Sequence, residues 1–123
     1  MTVYLDHNAT TPPHEEVVQA MLPYLGAAFG NASSDHGPGR AAREAVEIAR
    51  AQVAALIHCE ADEILFCGSG TEACNLALRG TARARSGGDR LVVSPIEHHA
   101  VGDTAEALHR EGLALTRLPV DAQ

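Results

Sequence analysis

The sequence contains no lysine and no tryptophan, and aromatic residues make up only 3% of its 123 residues. So few aromatic rings do not provide the stacking platforms on which single-stranded nucleic acids bind. The formal net charge of −7 also opposes binding to a phosphate backbone. We therefore expect no nucleic-acid partner.

Long apolar runs and a secretion signal are missing as well. The N-terminal MTVYLDHNATTPP lacks the basic start and apolar core of a signal peptide, and no apolar run could span a membrane. The three cysteines, Cys59, Cys67 and Cys74, do not suggest a disulfide framework, which favours a reducing compartment. We expect a cytoplasmic protein with no membrane partner. The spacing of histidines and cysteines predicts no metal site, although His98, His99 and a cysteine could meet in the fold.

Helical and extended patterns alternate along the chain. Apolar periodicity predicts helices over residues 14–25, 40–58, 71–85 and 98–110, and strands over 63–67, 90–94 and 113–118. The turn SGGD separates the third helix from the second strand, and Gly112 closes the last helix. The longest helix is expected to bury a stripe made of Ala42, Val46, Ala49, Val53 and Leu56 or Ile57. Strands separated by helices favour parallel pairing, so the predicted fold class is α/β, a partial parallel sheet with flanking helices.

The segment FCGSGTEACNLALRG, residues 66–80, joins a predicted strand to a predicted helix. Ser69 precedes Glu72 by three residues, which is the spacing of a capping box at a helix start. Gly68 and Gly70 allow a sharp turn and the close approach of another group. The free N–H groups and the dipole of the first helical turn could hold a phosphate. The same residues could equally do no more than cap the helix, since glycine is common at such turns.

A second polar segment follows the next strand. LVVSPIEHHAV places Glu97, His98 and His99 just past the carboxyl end of that strand, beside the first turn in a parallel sheet. A histidine there could stack on a ligand ring or move protons near neutral pH. The alternative is a polar helix start with two exposed histidines.

Five segments occur in an order and at a spacing typical of one enzyme family. They are VYLDHNATTP, GNASSDHGPGR, AVEIAR, EILFCGSGTEACNLALRG and SPIEHHAV, and together they cover almost the whole chain. The chain thus resembles the N-terminal part of the cysteine desulfurases, pyridoxal-phosphate (PLP) enzymes related to class V aminotransferases. The resemblance implies a fold-type I PLP-dependent transferase that forms a homodimer. It also implies L-cysteine as substrate, alanine and an enzyme persulfide as products, and transfer of the sulfur to acceptor proteins, for example in iron–sulfur cluster assembly.

The resemblance also implies roles for individual residues. Gly70 and Thr71 match the pair that binds the cofactor phosphate. His98 matches the histidine that stacks on the pyridine ring and takes part in proton transfer, so it is the predicted catalytic residue. Asn75 matches an asparagine with a structural role. No chemical role is assigned to the remaining matches, which are Asp6, Asn8, Ala9, Thr10 and Thr11 in the N-terminal arm and Asn31, Ser33, Ser34, His36, Gly39 and Arg40 in a loop.

Residues 1–123 are expected to form the N-terminal arm and the first part of the PLP-binding large domain, with a cut through that domain near LPVDAQ. The resemblance implies that the Schiff-base lysine and the loop with the reactive cysteine lie in the missing portion. All nine basic residues are arginine, whose guanidinium stays protonated and cannot replace that lysine. We therefore expect the chain alone to be inactive. Cys67 and Cys74 do not match the reactive cysteine and are interpreted as small buried residues.

Two other interpretations are compatible with the sequence. The first is a non-catalytic α/β module that retains only a phosphate-binding loop. The second is part of a related enzyme of the same group, a selenocysteine lyase or a class V aminotransferase.

Overall fold

The computed structural model describes residues 3–84 and 90–121. The chain divides into two compact units, residues 1–64 and 65–123. The first unit is helical, and the second contains a parallel sheet. Along the described ranges, no helix is both long enough and apolar enough to cross a membrane.

The first unit begins with a short helix that changes character at a proline. Helix α1 spans Glu15–Met21 and continues as a 3-10 turn at Leu22–Leu25. The predicted helix over 14–25 is α-helical only in its first part, because Pro23 has no N–H to donate to an α-helical ladder. No residue of α1 is buried.

Helix α2 spans Gly37–Ile57 and begins three residues before its predicted start. Pro38 lies in its first turn, where an N–H would have no intrahelical acceptor, and His36 Nδ1 accepts a hydrogen bond from the N–H of Gly39 at 3.2 Å. The helix ends where His58 takes a left-handed conformation with φ of 58°. A 3-10 turn follows at Ala61–Glu63.

The stripe predicted to be buried on α2 is only partly correct. Ala42, Ala49 and Val53 are half-buried, but Leu56 is 79% exposed, and Val46 and Ile57 are exposed as well. The buried hydrophobic residue of this helix is Ala54, next to the predicted stripe. A helical period defines one face of a helix, but neighbouring elements decide how much of that face is covered.

The second unit consists of α3 (Gly70–Ala84), β1 (Arg90–Val93), α4 (His99–Arg110) and β2 (Ala114–Arg117). The two strands pair in parallel, with Leu91 opposite Leu115 and Val92 opposite Thr116. Parallel strands require a crossover connection, and α4 provides it. Gly112, with φ of 107°, makes the turn from α4 to β2. The predicted α/β class, the parallel pairing and the strands near 90–94 and 113–118 are confirmed.

The core of the second unit is built on one face of α4, which packs against α3 and both strands. Its buried residues are Ala100, Thr104, Ala105 and Leu108, and Val93 is the buried hydrophobic residue of β1. Their spacing of four, one and three residues is that of a single helical face.

The predicted strand over residues 63–67 is wrong. Glu63 ends a 3-10 turn, and although Ile64 has extended backbone angles, the sheet of the described residues consists of β1 and β2 only. An apolar run favours extended backbone, but a strand also needs a neighbour with which to form ladder hydrogen bonds. The third predicted helix runs to Ala84, while residue 85 and the predicted SGGD turn lie outside the described residues.

Candidate functional site

The turn before α3 is capped by its own side chains. Ser69 Oγ accepts a hydrogen bond from the N–H of Glu72 at 3.2 Å, and Glu72 Oε2 accepts one from the N–H of Gly68 at 2.7 Å. The capping pair suggested by the sequence is present, although the carboxylate reaches Gly68 and not Ser69. The N–H groups of Gly70 and Thr71, the first two residues of α3, have no acceptor within the helix. They are the donors that this helix end offers to an anion.

His98 is the N-cap residue of α4. Its Nδ1 accepts a hydrogen bond from the N–H of Ala100 at 3.1 Å, which assigns the hydrogen of the neutral ring to Nε2. The ring centroid of His99 lies 6.1 Å from that of His98, with the planes 65° apart. Both histidines are exposed, so a ligand can reach the start of α4.

Thr71 and His98 line one open pocket of about 380 Å³ between α3 and α4. Such a volume lies within the range of small-molecule sites, and α4 starts beyond the carboxyl end of β1, where α/β sheets bind ligands. Gly70 is not part of the lining, but a Cβ built on it would meet no atom within 4 Å, so open space borders this residue. The other lining residues are Asn75, Arg79, His99, Ala100, Asp103 and Thr104.

Sequence analysis did not identify some of these lining residues as candidates for ligand binding. Thr71, Asn75 and Arg79 recur every four residues, so they share one face of α3, and this period was a usable signal. Thr104 gave no signal, because it is a hydroxyl residue within the face of α4 that forms the core, where it is only 4% exposed.

One residue of the pocket lining, Arg79, forms an ion pair. Arg79 Nη1 donates a hydrogen bond to Glu111 Oε1 at 2.9 Å, which connects α3 to the residue that follows α4. This hydrogen bond, more than the charges of the surrounding arginines, holds the pKa of Glu111 below its ordinary value, against a smaller opposing effect of burial. Arg79 is thereby held at the pocket by a carboxylate of the same unit.

The cysteines are free thiols and are less buried than expected. Cys67 and Cys74 are each half-buried, so their interpretation as buried residues was only partly correct. Partial burial, and then the nearby carboxylates of Glu63, Glu60 and Asp62, raises the pKa of the Cys59 thiol. Within residues 3–84 and 90–121, no three His, Cys, Asp or Glu side chains come close enough together to hold a metal ion.

The arm residues and the loop residues that match the cysteine desulfurases, but to which no chemical role was assigned, lie in the first unit and form local turns. In the arm, the carbonyl of Asp6 accepts hydrogen bonds from the Tyr4 hydroxyl at 2.8 Å and from the N–H of Ala9 at 3.1 Å. In the loop, Asn31 Oδ1 accepts a hydrogen bond from the N–H of Ser33 at 2.9 Å. These contacts are those of structural residues.

The second unit combines parallel strands, a helical crossover and a pocket at the N-terminal turns of two helices. These features define an α/β protein with an open pocket at the edge of the sheet where proteins of this class bind ligands. Within that class, the profile of the aminotransferase class-V family matches residues 3–123, and the chain belongs to this family.

Individual relatives support the assignment. The chain is 48% identical over 120 residues to a protein of Bacillus subtilis (strain 168) named putative cysteine desulfurase IscS 1, a match that covers 97% of this chain and 32% of the relative. A solved structure of a NifS-like protein superimposes with a TM-score of 0.89 at 34% identity, covering 98% of this chain and 33% of the other. A structure described as SspA in complex with cysteine gives a TM-score of 0.86 at 33% identity, covering 95% of this chain and 34% of the other. The chain thus spans about a third of the length of the relatives it matches.

Proposed function

We propose that residues 1–123 are the N-terminal arm and the first part of the PLP-binding large domain of a cysteine desulfurase. The observation that carries the proposal is that Thr71 and His98, which are far apart in sequence, line the same pocket. The similarity to a putative cysteine desulfurase gives this pocket its chemical interpretation.

The donors present fit the phosphate end of PLP. The first turn of α3 offers the N–H groups of Gly70 and Thr71 together with the exposed hydroxyl of Thr71. A phosphate dianion is favoured there by direct hydrogen bonds and by the positive end of the helix dipole. Apart from its chain neighbours and the backbone of its own helix, no protein atom lies within 4 Å of a Cβ on Gly70, which supports access of a bulky anion to this helix end.

The exposure of His98 and the hydrogen bond at its Nδ1 support a role in covering the ring of the cofactor. Its side chain is exposed and its Nδ1 is engaged by the N–H of Ala100, which leaves the Nε2 hydrogen and the ring face for a ligand. In this role it would hold the ring by stacking and could pass a proton at Nε2. When bound, PLP supplies an electron sink that the side chains of this chain do not offer.

The substrate and the sulfur acceptors are proposed from the relatives. The SspA structure contains cysteine and the Bacillus subtilis relative is named a putative cysteine desulfurase. We extend to this chain, within its complete enzyme, the conversion of L-cysteine to alanine with transfer of sulfur to acceptor proteins, including those of iron–sulfur cluster assembly. A homodimer and a cytoplasmic location belong to this proposal on the ground of the resemblance alone.

A second candidate follows from the breadth of the matching family. The family profile is that of class-V aminotransferases in general, so the pocket would serve equally in an aminotransferase or a selenocysteine lyase. The preference for a desulfurase comes from the names of the relatives. Assays with cysteine, selenocysteine and an amino acid paired with a keto acid would separate these activities.

The proposal is tested in a chimaera in which residues 3–123 replace the matching third of the Bacillus subtilis relative. Thr71→Ala should weaken PLP binding by about 1–2 kcal/mol, roughly 5- to 30-fold in Kd, because a hydroxyl bond to a charged group is lost. His98→Ala should lower alanine production more than PLP retention. Thr81→Ala, at an exposed position of α3 away from the pocket, is the matched control.

The 123-residue chain itself is the second arm of the experiment. It contains no lysine and therefore no side-chain amine to which PLP could attach covalently. We expect no repeated production of alanine or sulfide from cysteine by this chain alone. A chimaera whose Thr71→Ala and His98→Ala variants bind PLP and turn over cysteine like the unchanged chimaera would refute the site.

A further inference from the structure

A polar bridge joins the two helices that carry the pocket. Thr104 Oγ1 on α4 donates a hydrogen bond to Asn75 Oδ1 on α3 at 2.9 Å. Thr104 is 4% exposed and is the buried polar residue among the described ranges, whereas the other buried residues of α4 are alanines and a leucine. The bridge thus lies where α4 is otherwise held by apolar packing.

Each end of the bridge continues to a residue of the proposed site. Asn75 Nδ2 donates to the carbonyl oxygen of Thr71 at 3.0 Å. On α4, Thr104 Oγ1 lies 2.8 Å from the carbonyl oxygen of Ala100, whose N–H donates to His98 Nδ1 at 3.1 Å. A series of polar contacts, continued through the backbone of Ala100, therefore runs from the proposed phosphate-binding turn to the histidine ring.

Burial of the Thr104 hydroxyl does not by itself require Asn75. A helical threonine can satisfy its hydroxyl by donating to the carbonyl four residues earlier, and Ala100 offers that acceptor. The hydroxyl has one hydrogen, which it shares between Ala100 and Asn75. The bond to Asn75 is thus an additional, directional contact between the helices, and the carbonyl of Thr71 fixes the orientation of the asparagine amide, because only the NH₂ group can donate to it.

We propose that Asn75 and Thr104 are positioning residues that fix the phosphate-binding turn at Thr71 relative to the ring of His98. This inference rests on the proposed function of the pocket. The pair would keep groups on α3 and α4 in the positions from which both hold the same ligand. Neither residue needs to touch the cofactor, because both act through groups that do. Apolar packing permits small sliding of one helix along another, whereas a hydrogen bond of defined length and direction does not.

The test uses variants of the 123-residue chain and of the chimaera. Asn75→Ala removes one end of the bridge, Thr104→Val removes the hydroxyl at nearly unchanged volume, and Thr104→Ser keeps the hydroxyl. Thr81→Val is the matched control at an exposed residue of α3 that does not line this pocket. The direct readouts, in the ligand-free chain, are the ring ¹⁵N signals of His98, which report its tautomer and environment, and the amide signal of Thr71.

We expect Asn75→Ala and Thr104→Val each to shift both sets of signals, and the double variant to shift them no further. Thr104→Ser and Thr81→Val should leave them in place. In the chimaera, the two disruptive variants should weaken PLP binding by about 3- to 10-fold, the effect of losing one hydrogen bond, and Thr104→Ser should restore it.

Failure of the inference and failure of the proposed function give different results. Unchanged His98 and Thr71 signals in Asn75→Ala would overturn the positioning role even if Thr104→Val does not fold, because Asn75 is only half-buried and tolerates truncation. Shifted signals without any effect of Thr71→Ala on PLP binding would support the bridge and refute the cofactor site. Additive effects of Asn75→Ala and Thr104→Val would also overturn the inference, since residues of one bridge must be coupled.

Discussion

Gly39 allows the loop 31–34 to pass against the first turn of α2, and Gly39→Ala tests this contact. A Cβ on Gly39 would lie 2.3 Å from the carbonyl oxygen of Ser34 and 2.9 Å from that of Asn31. Carbon–oxygen contacts in proteins begin near about 3.3 Å, so the loop would have to move by about 1 Å. Gly37, two residues earlier in the same helix, has no atom within 4 Å of such a Cβ and is the matched control.

The expected loss in free energy of unfolding follows from the contacts that hold the loop in place. The N–H of Ser34 donates to the carbonyl of Asn31 at 2.9 Å, and Arg43 Nε donates to the carbonyl of Ala32 at 2.8 Å. Overpacking costs about 1–3 kcal/mol, and losing one hydrogen bond adds about 0.5–1.5 kcal/mol. The higher helix propensity of alanine returns up to about 1 kcal/mol. Gly39→Ala should thus lower the free energy of unfolding by about 1–3 kcal/mol, whereas Gly37→Ala should leave it unchanged or raise it slightly.

Urea unfolding followed by tyrosine fluorescence is a suitable assay for both variants. The chain has no tryptophan, and both of its tyrosines, Tyr4 and Tyr24, lie in the first unit, so the signal reports the unit that contains Gly39. Free energies of unfolding for Gly39→Ala and Gly37→Ala that agree within about 0.5 kcal/mol would show that the loop does not pack on α2 in this way.

Two further predictions concern the second unit. Leu108→Ala should lower the free energy of unfolding by about 2–4 kcal/mol, because Leu108 is 4% exposed in the core. Ile96→Ala, at a position of the same unit that is 78% exposed, should lower it by less than about 0.5 kcal/mol, and similar losses in both variants would contradict the assigned core. Because the bond from Arg79 lowers the pKa of Glu111, this carboxylate stabilises the fold above its unfolded pKa of about 4.3, and the contribution disappears as the pH falls through the lower folded value. Glu111→Gln should therefore reduce the melting temperature at pH 7, and this reduction should shrink progressively as the pH falls below about 4. A reduction of the melting temperature that does not change with pH would refute the ion pair.

Sequence patterns were most reliable where a local signal was sufficient. The crossover between β1 and β2 follows from an apolar run, a helical period and Gly112, whose positive φ ends α4. The cap of α3 by Ser69 and Glu72 was also visible in the residue spacing. Both features depend on interactions between residues a few positions apart, which residue order alone specifies.

Features that depend on a distant neighbour were not predicted correctly. Residues 63–67 have the composition of a strand, but in the described structure no ladder includes them, since pairing needs a second backbone at the right distance. Leu56 has the period of a buried residue and is exposed, because helical periodicity orients a side chain without providing something to cover it.

The sequence by itself determined the family, the order of α3, β1, α4 and β2, and the residue types at the turn before α3 and at His98. Only the tertiary structure decided that Thr71 and His98 share a pocket and that Asn75 meets Thr104 across two helices. Local hydrogen bonds and side-chain periodicity are encoded over a few residues, and a motif can display them directly. The contact between α3 and α4 joins residues 29 positions apart, and it exists only after the packing of the whole unit has set the distance and the angle between the two helices.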